Sequence, residues 1–225
     1  MIFRFLAGFI IGLAVAGVVW LGYNALPNTA SPRPQTAEAA LISKLTAAEK
    51  AAKIAPDFVL TAHTGAKVSL SQFRGKPVVL EWYNAGCPFV RKHYDSGNMP
   101  SLQQKYTSKG VIWLRIISSA IGRQGFMTQA EAAADHAANS HATFTLLDTN
   151  GEVGRLYGAQ TTPHMFVISR AGLIVYQGAI DSMATPLQKD IPYADNYVAD
   201  ALDNVLAGKP VTYTSSTPYG CGIKY

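Results

Sequence analysis

Short runs of apolar residues alternate along the chain with polar segments that contain glycine or proline. Two of these runs, residues 77–83 and 111–118, are almost continuously apolar. This pattern is typical of strands that are covered on both faces of a parallel or mixed sheet. Five shorter runs predict further strands at 58–61, 67–70, 144–147, 164–169 and 173–177, of which the last two form a hairpin.

The segments between the apolar runs have the capping and stop signals of helices. They predict a helix from Pro88 that breaks near 97–98 and resumes at Pro100, a second from Thr128 to about residue 138, and a last one over 195–207. Thr128 and Glu131 have the spacing of a capping box, and Gly208 ends the last helix. The order of these elements predicts an α/β sandwich with a mixed sheet.

An uncharged apolar run precedes this pattern at residues 5–23. As a helix it would rise about 28 Å, which is close to the hydrocarbon thickness of a bilayer. The run predicts a signal anchor or transmembrane helix over residues 1–23, and a cleaved signal peptide is the alternative. Both interpretations export the rest of the chain, and Arg4 predicts a domain on the extracytoplasmic, periplasmic side of the membrane.

Three further regions are predicted after the anchor. Residues 24–54 form a linker, which is proline-rich over 24–35 and has helical periodicity over 36–54. Residues 55–180 form the compact domain. Residues 181–225 form a C-terminal helix and a tail that contains a cysteine.

Composition narrows the classes of function. Hydrophobic residues make up 48% of the chain and charged residues 15%, which excludes disorder for most of it. The net charge of +5 is carried by scattered lysines and arginines, so no nucleic-acid partner is predicted. Two cysteines are too few for a disulfide-dense scaffold or a zinc ribbon, and neither a metal nor a cofactor is predicted.

Cys87 has the sequence position of a reactive thiol. It follows the strand 77–83 and directly precedes Pro88, so it is the predicted N-cap of a helix. At that position free amide groups and the helix dipole lower the pKa of a thiol, and Arg91, one turn along, adds a positive charge. A buried inert cysteine is the alternative, although a strand-to-helix junction is a poor place to bury a side chain.

A second motif, Thr162-Pro163, enters the predicted strand 164–169, where proline is expected only at the first position or in cis. With Cys87-Pro88, with the stretch 55–58 (APDF) and with the stretch 67–83 (KVSLSQFRGKPVVLEWY), this motif resembles the thioredoxin superfamily. The resemblance is to its redoxin branch of peroxiredoxin-like and membrane-anchored thiol–disulfide proteins, and it covers about residues 55–180.

The resemblance implies a thioredoxin-like three-layer sandwich with a mixed sheet. It also implies that Pro163 is cis and lies beside the Cys87 sulfur, and that Pro88, Thr162 and Pro163 contact the substrate. Glu81 lies near the place where thioredoxins have a buried acid that accepts protons during disulfide exchange. A carboxylate exposed at a strand end is the alternative for Glu81.

Two positions depart from the patterns of the related families. Asn84 stands where peroxiredoxins place a threonine or serine that orients the reactive cysteine. Val90 stands where thioredoxins have the second cysteine of Cys-x-x-Cys, which releases the substrate from the mixed disulfide.

These features predict an exported, membrane-tethered thiol oxidoreductase with Cys87 as the nucleophile. Its substrate would be a peroxide or a protein disulfide, and an external thiol would donate the electrons. A non-catalytic binding module that holds peptides along residues 161–163 is the alternative. A copper chaperone that uses Cys87 with His93 or His164 is a third hypothesis.

Cys221 is the second thiol of the chain and lies close to its C-terminus. Glycines flank it, which predicts tight, unusual backbone angles and a mobile arm, and residues 209–218 could extend over roughly 33–36 Å. Cys221 is predicted to resolve Cys87 within one chain or across a dimer, as C-terminal cysteines do in some peroxiredoxins. A permanent structural disulfide, which would stabilise the fold by about 4–5 kcal/mol, is the alternative.

Overall fold

The computed structural model describes residues 52–225. The predicted anchor over 1–23, the spacer over 24–35 and most of the predicted helix over 36–54 lie outside these residues. Within residues 52–225, no helix combines the length and the apolar character needed to cross a membrane.

The described residues form ten strands. They are β1 (Lys53–Ile54), β2 (Val59–Ala62), β3 (Lys67–Ser69), β4 (Val78–Trp82), β5 (Ile112–Ile117), β6 (Phe144–Leu147), β7 (Thr161–Thr162), β8 (His164–Ile168), β9 (Leu173–Gly178) and β10 (Cys221–Gly222). Eight of them form a mixed sheet in the order β1-β9-β8-β4-β5-β6-β2-β3, and β7 and β10 form a separate pair. Strand β4 is parallel to β5 and antiparallel to β8.

The helices surround this sheet. They are α1 (Pro88–Asp95), α2 (Asn98–Thr107), α3 (Gln129–Asn139), α4 (Glu152–Tyr157) and α5 (Tyr197–Leu206), with 3₁₀ turns at Leu70–Phe73 and Gln188–Tyr193. The predicted capping box is present at the start of α3. The prediction of a helix is wrong at its last residues, 53–54, which form β1. Strand β1 pairs with β9 and so satisfies backbone groups that β9 would otherwise leave free at the edge of the sheet.

Strand β4 shows how both faces of the sheet are covered. Its five residues are all buried, as the continuous apolar run predicts. Val78, Leu80 and Trp82 pack into an apolar cluster that includes α4, whereas Val79 packs into a second cluster with α2 and α5. Because successive side chains of a strand point to opposite faces, this alternation produces the predicted sandwich, with the mixed sheet as its middle layer.

Candidate active site

The turn between β4 and α1 is shaped by Asn84. Its side-chain oxygen accepts a hydrogen bond from the Gly86 amide at 2.9 Å, and its backbone carbonyl accepts one from the Cys87 amide at 3.0 Å. The side-chain amide of Asn84 donates to the Gln124 carbonyl at 3.4 Å. The structure therefore gives Asn84 contacts that fix the backbone leading to Cys87, rather than a contact with the thiol.

Cys87 is the N-cap of α1, and Pro88 is the first residue of that helix. The thiol donates a hydrogen bond to the Thr162 carbonyl at 3.0 Å, and the Thr162–Pro163 peptide bond is cis. The two motifs singled out in the sequence thus lie side by side. The expectation that the junction leaves Cys87 accessible is wrong, since the residue is fully buried.

The groups around the Cys87 sulfur favour its ionised form. Burial raises the pKa of the thiol, but hydrogen bonds from the Cys221 side chain, the amides of Val90 and Cys221, and the Thr162 hydroxyl lower it. Together these bonds outweigh burial and hold the pKa of Cys87 below its ordinary value. Cys87 has the environment of a nucleophile.

Cys221 lies directly beside this sulfur. Strand β10 pairs antiparallel with β7, so that Cys221 is opposite Thr162 and Gly222 is opposite Thr161. Both cysteines are free thiols. Burial raises the pKa of Cys221 to about 11, and the hydrogen bond and charge of Cys87 act in the same direction. The pair is therefore asymmetric, with Cys87 ionising first and Cys221 keeping its proton.

The tail that carries Cys221 is docked on the body of the protein in the structure, where the flanking glycines predict a mobile arm. Besides the pairing of β10 with β7, several hydrogen bonds on both sides of β10 hold the tail. They link the Ser216 hydroxyl to the Ala179 amide at 2.9 Å, the Ile223 amide to the Gln160 carbonyl at 3.1 Å, the Ala120 amide to the Lys224 carbonyl at 2.9 Å, and the Tyr225 hydroxyl to the Ala159 carbonyl at 3.0 Å. Cys221 of this docked tail packs against the apolar cluster that contains Cys87.

Gly220 explains why glycine precedes Cys221. Its φ is +132°, and a Cβ built on it would lie 2.1 Å from the Thr162 carbonyl oxygen. No side chain fits at that distance, so glycine serves the close approach of the tail to β7 rather than its mobility. The same approach occupies the backbone edge at 161–163 along which the binding-module hypothesis places a peptide.

Arg91 lies away from the thiol. Its guanidinium is 64% exposed and forms a salt bridge with Asp95 at 3.1 Å. Residues four apart on an exposed helix face pair readily, and Arg91 is not among the main groups that shift the pKa of Cys87. The structure does not bring Arg91 to Cys87.

Glu81 is fully buried, so the alternative of an exposed strand-end carboxylate is wrong. The carboxylate accepts hydrogen bonds from the Tyr94 hydroxyl at 2.6 Å, the Gln103 amide at 3.0 Å and the Trp113 indole at 2.7 Å. Burial raises the pKa of Glu81, while the nearby Arg115 and these hydrogen bonds partly oppose the shift. Tyr94 also packs against the apolar cluster around Cys87, which links the buried acid to the site.

The histidines considered for copper make other contacts. His93 Nδ1 lies 2.8 Å from the Asn98 side-chain amide and His93 Nε2 lies 3.2 Å from the Tyr219 hydroxyl. His164 Nδ1 accepts a hydrogen bond from the Gln160 amide at 3.2 Å. Across the part of the chain that the structure describes, no group of three or more His, Cys, Asp or Glu side chains is arranged to hold a metal ion.

The residues that dock the tail were not identified from the sequence. Lys92 and His93 of α1, Asp181 after β9 and Tyr219 of the tail form a buried polar cluster. Lys92, a charged residue on the buried side of an amphipathic helix, was the signal in the sequence. It could not point to its partners, because no spacing rule connects these distant segments.

Comparison with known proteins finds one matching family model and similar thiol-disulfide oxidoreductases. The Redoxin family model matches residues 49–197. A thiol-disulfide oxidoreductase ResA from Bacillus thuringiensis subsp. konkukian (strain 97-27) is 30% identical over 127 residues, which cover 56% of this chain and 67% of the relative. The family match ends before the tail that carries Cys221.

Two solved structures are similar over most of the chain. One is a hypothetical protein from Sinorhizobium meliloti 1021, with 26% identity and a TM-score of 0.66, covering 77% of this chain and 93% of that one. The other is an uncharacterized conserved protein from Geobacillus kaustophilus, with 26% identity and a TM-score of 0.67, covering 77% of this chain and 91% of that one.

Proposed function

The chain belongs to the redoxin family, and we propose that it works as a thiol–disulfide oxidoreductase whose two reacting thiols are Cys87 and Cys221. One observation carries the proposal. The antiparallel pairing of β10 with β7 places Cys221 opposite Thr162, whose carbonyl accepts the hydrogen bond of the Cys87 thiol. The second thiol of the reaction thus comes from the tail.

The tail supplies the second cysteine that α1 lacks. In a Cys-x-x-Cys protein the second cysteine would stand at Val90, which here is buried in the apolar cluster around Cys87. Cys221 comes close to the same sulfur from the tail, through the pairing of β10 with β7. The two pKa values support different roles for the two thiols. Cys87, with the lower pKa, attacks the substrate as a thiolate, and Cys221 stays protonated until the second step.

With a disulfide substrate, the Cys87 thiolate attacks one substrate sulfur, and the other leaves as a thiolate. The product is a mixed disulfide between Cys87 and the substrate. Cys221 then loses its proton and attacks the Cys87 sulfur, which releases the second substrate thiolate. The substrate gains two electrons, and the chain is left with a Cys87–Cys221 disulfide that an external thiol donor must reduce.

With a peroxide substrate, the same two cysteines give the same product. The Cys87 thiolate attacks the peroxide, breaks its O–O bond and becomes a sulfenic acid while an alcohol or water leaves. Cys221 then condenses with the sulfenic acid, which forms the disulfide and releases one water. The pair therefore accommodates either substrate, and the Cys87–Cys221 disulfide is the state common to both routes.

We also propose that the domain is exported and tethered to the membrane by residues 5–23, which form the uncharged apolar run. An oxidising compartment outside the cytoplasm would allow the Cys87–Cys221 disulfide to accumulate. An external thiol donor on the same side would then complete the cycle.

One experiment tests both proposals on the full chain. Bacteria that express it are quenched in acid, fractionated and alkylated, and the cysteine peptides are identified by mass spectrometry. We expect the chain in the membrane fraction with Cys87 and Cys221 joined in one peptide pair. In Cys221→Ser we expect Cys87 to accumulate as a mixed disulfide or an oxidised sulfur acid, because nothing resolves it.

The outcomes for the two proposals are separate. A chain found only outside the membrane fraction contradicts the tether, whatever its thiols do. A wild-type chain in which Cys87 is oxidised without ever joining Cys221 contradicts the redox pair, whatever its location.

A further inference from the structure

A cluster of charged and polar side chains lies where the tail contacts the body of the protein. The tail contributes one residue to it, two positions before Cys221. We name it the tail clamp, and it consists of Lys92, His93, Asp181 and Tyr219. The Tyr219 hydroxyl donates a hydrogen bond to Asp181 and lies 3.2 Å from His93 Nε2. The Lys92 ammonium lies 3.6 Å from the Asp181 carboxylate and 5.6 Å from the centre of the Tyr219 ring.

The clamp residues on the body of the protein have further partners. The Lys92 ammonium donates to the Met183 carbonyl at 2.8 Å, and Asp181 accepts from the Met183 amide at 3.0 Å. His93 Nδ1 is paired with Asn98 at 2.8 Å. Lys92, His93 and Asp181 are all almost fully buried. Their hydrogen bonds to the body of the protein hold them in place as a polar binding site for the Tyr219 hydroxyl.

A buried ion pair is a poor means of raising stability, because desolvation of the charges offsets their attraction. Its better-supported use is to fix one arrangement among several. Here the arrangement that it fixes is that of the tail. Lys92 and His93 belong to α1, which begins at Cys87, so the clamp ties the Cys221 segment to the helix that carries the nucleophile.

The tail has a second anchor beyond Cys221. The Tyr225 hydroxyl donates to the Ala159 carbonyl at 3.0 Å, and the Arg155 guanidinium lies 4.5 Å from the centre of the Tyr225 ring. Cys221 is therefore held between two tyrosines. Of these, Tyr219 is the nearer in sequence and the one bound to buried charge.

We propose that Tyr219 is a positioning residue whose hydroxyl bond to Asp181 holds Cys221 against Cys87 and so sets how readily their disulfide forms. The inference rests on the proposed function, since it concerns the second step of that reaction. In this step the Cys221 thiol attacks the Cys87 sulfur of a mixed disulfide, the Cys87–substrate bond breaks, and the leaving thiolate takes up the proton that Cys221 loses. Holding the attacking thiol in place raises its effective concentration.

The test uses glutathione as the substrate thiol. Protein equilibrated in glutathione redox buffers is quenched in acid, and mass spectrometry measures reduced protein, the Cys87–glutathione mixed disulfide and the Cys87–Cys221 disulfide. The ratio of the last two forms, at a known glutathione concentration, gives the effective concentration of Cys221. In Tyr219→Phe we expect this value to fall by about tenfold or more, the amount expected for loss of a hydrogen bond to a charged group.

Two controls separate positioning from a general loss of structure. Tyr213→Phe makes the same change at a half-exposed tyrosine of the tail and is expected to leave the ratio unchanged. In a Cys221→Ser background, Tyr219→Phe is expected to leave the affinity of Cys87 for glutathione within twofold of its parent. If Tyr219→Phe merely destabilised the protein, it would change both the effective concentration of Cys221 and the affinity of Cys87 for glutathione.

The failure of each proposal has its own signature. If the wild-type chain forms no Cys87–Cys221 disulfide at any buffer ratio, the proposed function fails. If it forms that disulfide and Tyr219→Phe matches Tyr213→Phe, the positioning role is overturned while the redox pair stands. Should Tyr219→Phe fail to fold, Asp181→Asn removes the charge of the acceptor that the Tyr219 hydroxyl binds, and an unchanged ratio in that variant overturns the role equally.

Discussion

At the residue scale, the two cysteines differ in what surrounds each sulfur. Cys87 receives hydrogen bonds from a helix amide and from the tail, and its pKa is lowered despite burial. Cys221 accepts no comparable set, and burial raises its pKa to about 11. These environments favour Cys87 as the attacking thiol of the proposed reaction, because the thiol that ionises more easily is the better nucleophile near neutral pH.

Glu81 provides a residue-scale prediction that depends on pH. Burial raises the pKa of its carboxyl in the folded state above the ordinary 4.5, so the folded protein binds this proton more tightly than the unfolded chain does. Its stabilising contribution is therefore complete below pH 4.5 and is lost as the pH rises through the raised pKa. Glu81→Gln removes the titrating group.

Urea denaturation of wild type and Glu81→Gln at a series of pH values measures this effect. We expect the stability of wild type relative to the variant to fall with rising pH from about 4.5, by at most about 1.4 kcal/mol per pH unit. A difference that stays constant or grows with pH contradicts the raised pKa. The change of the acceptor for the Trp113 indole from a carboxyl to an amide adds an offset that does not depend on pH.

At the element scale, the pairing of β10 with β7 depends on Gly220. A Cβ at this position would lie 2.1 Å from the Thr162 carbonyl oxygen, at a φ of +132°. We expect Gly220→Ala to destabilise the reduced protein by about 1–3 kcal/mol, to displace β10 and to speed the alkylation of Cys87. Gly222→Ala is the matched control, since nothing lies within 4 Å of its Cβ, and it is expected to change stability by no more than about 0.5 kcal/mol.

Denaturation and the rate of alkylation by iodoacetamide are the two measurements for this pair of variants. Equal alkylation rates of Cys87 in Gly220→Ala, Gly222→Ala and wild type would show that the tail does not control access to the thiol. Faster alkylation in both variants would show that any change near Cys221 releases the tail, and would contradict the specific role of Gly220.

The elements that the sequence predicts well are those with a local signal. The continuous apolar runs at 77–83 and 111–118 became β4 and β5, and the capping box at Thr128 opens α3. Helix α4 escaped prediction because it has six residues and begins after Gly151 rather than after a capping side chain. Strands β7 and β10 have two residues each, too few to show any periodicity.

The site divides in the same way. Cys87-Pro88 and Thr162-Pro163 could be identified because each motif is contiguous in sequence. The contact of Tyr219 with Asp181 and the burial of Cys87 could not, because both depend on where the folded tail comes to lie. The flanking glycines suggested mobility, since glycine permits both a flexible arm and a close approach, and only the position of Thr162 distinguishes them.

At the scale of the whole molecule, the tail closes the active site from outside the central sheet. It runs past β9, over the start of α1 and along β7, and it ends against α4. Cys87 is fully buried and Cys221 of the tail packs beside it, so in the proposed reaction the tail must undock before a protein substrate reaches the nucleophile. Under the proposed function, the same segment covers the site and supplies its second thiol.

The reduction potential of the Cys87–Cys221 pair tests the central claim most directly. Protein equilibrated in thiol–disulfide buffers of known potential is quenched and analysed by mass spectrometry for the linked peptide pair. We predict one two-electron transition, in which the Cys87–Cys221 link appears, at a potential above about −300 mV, where cellular thiol donors can reduce it. A link that resists reduction until well below that value would make it a permanent structural disulfide, and an oxidised Cys87 that never joins Cys221 would contradict the redox pair outright.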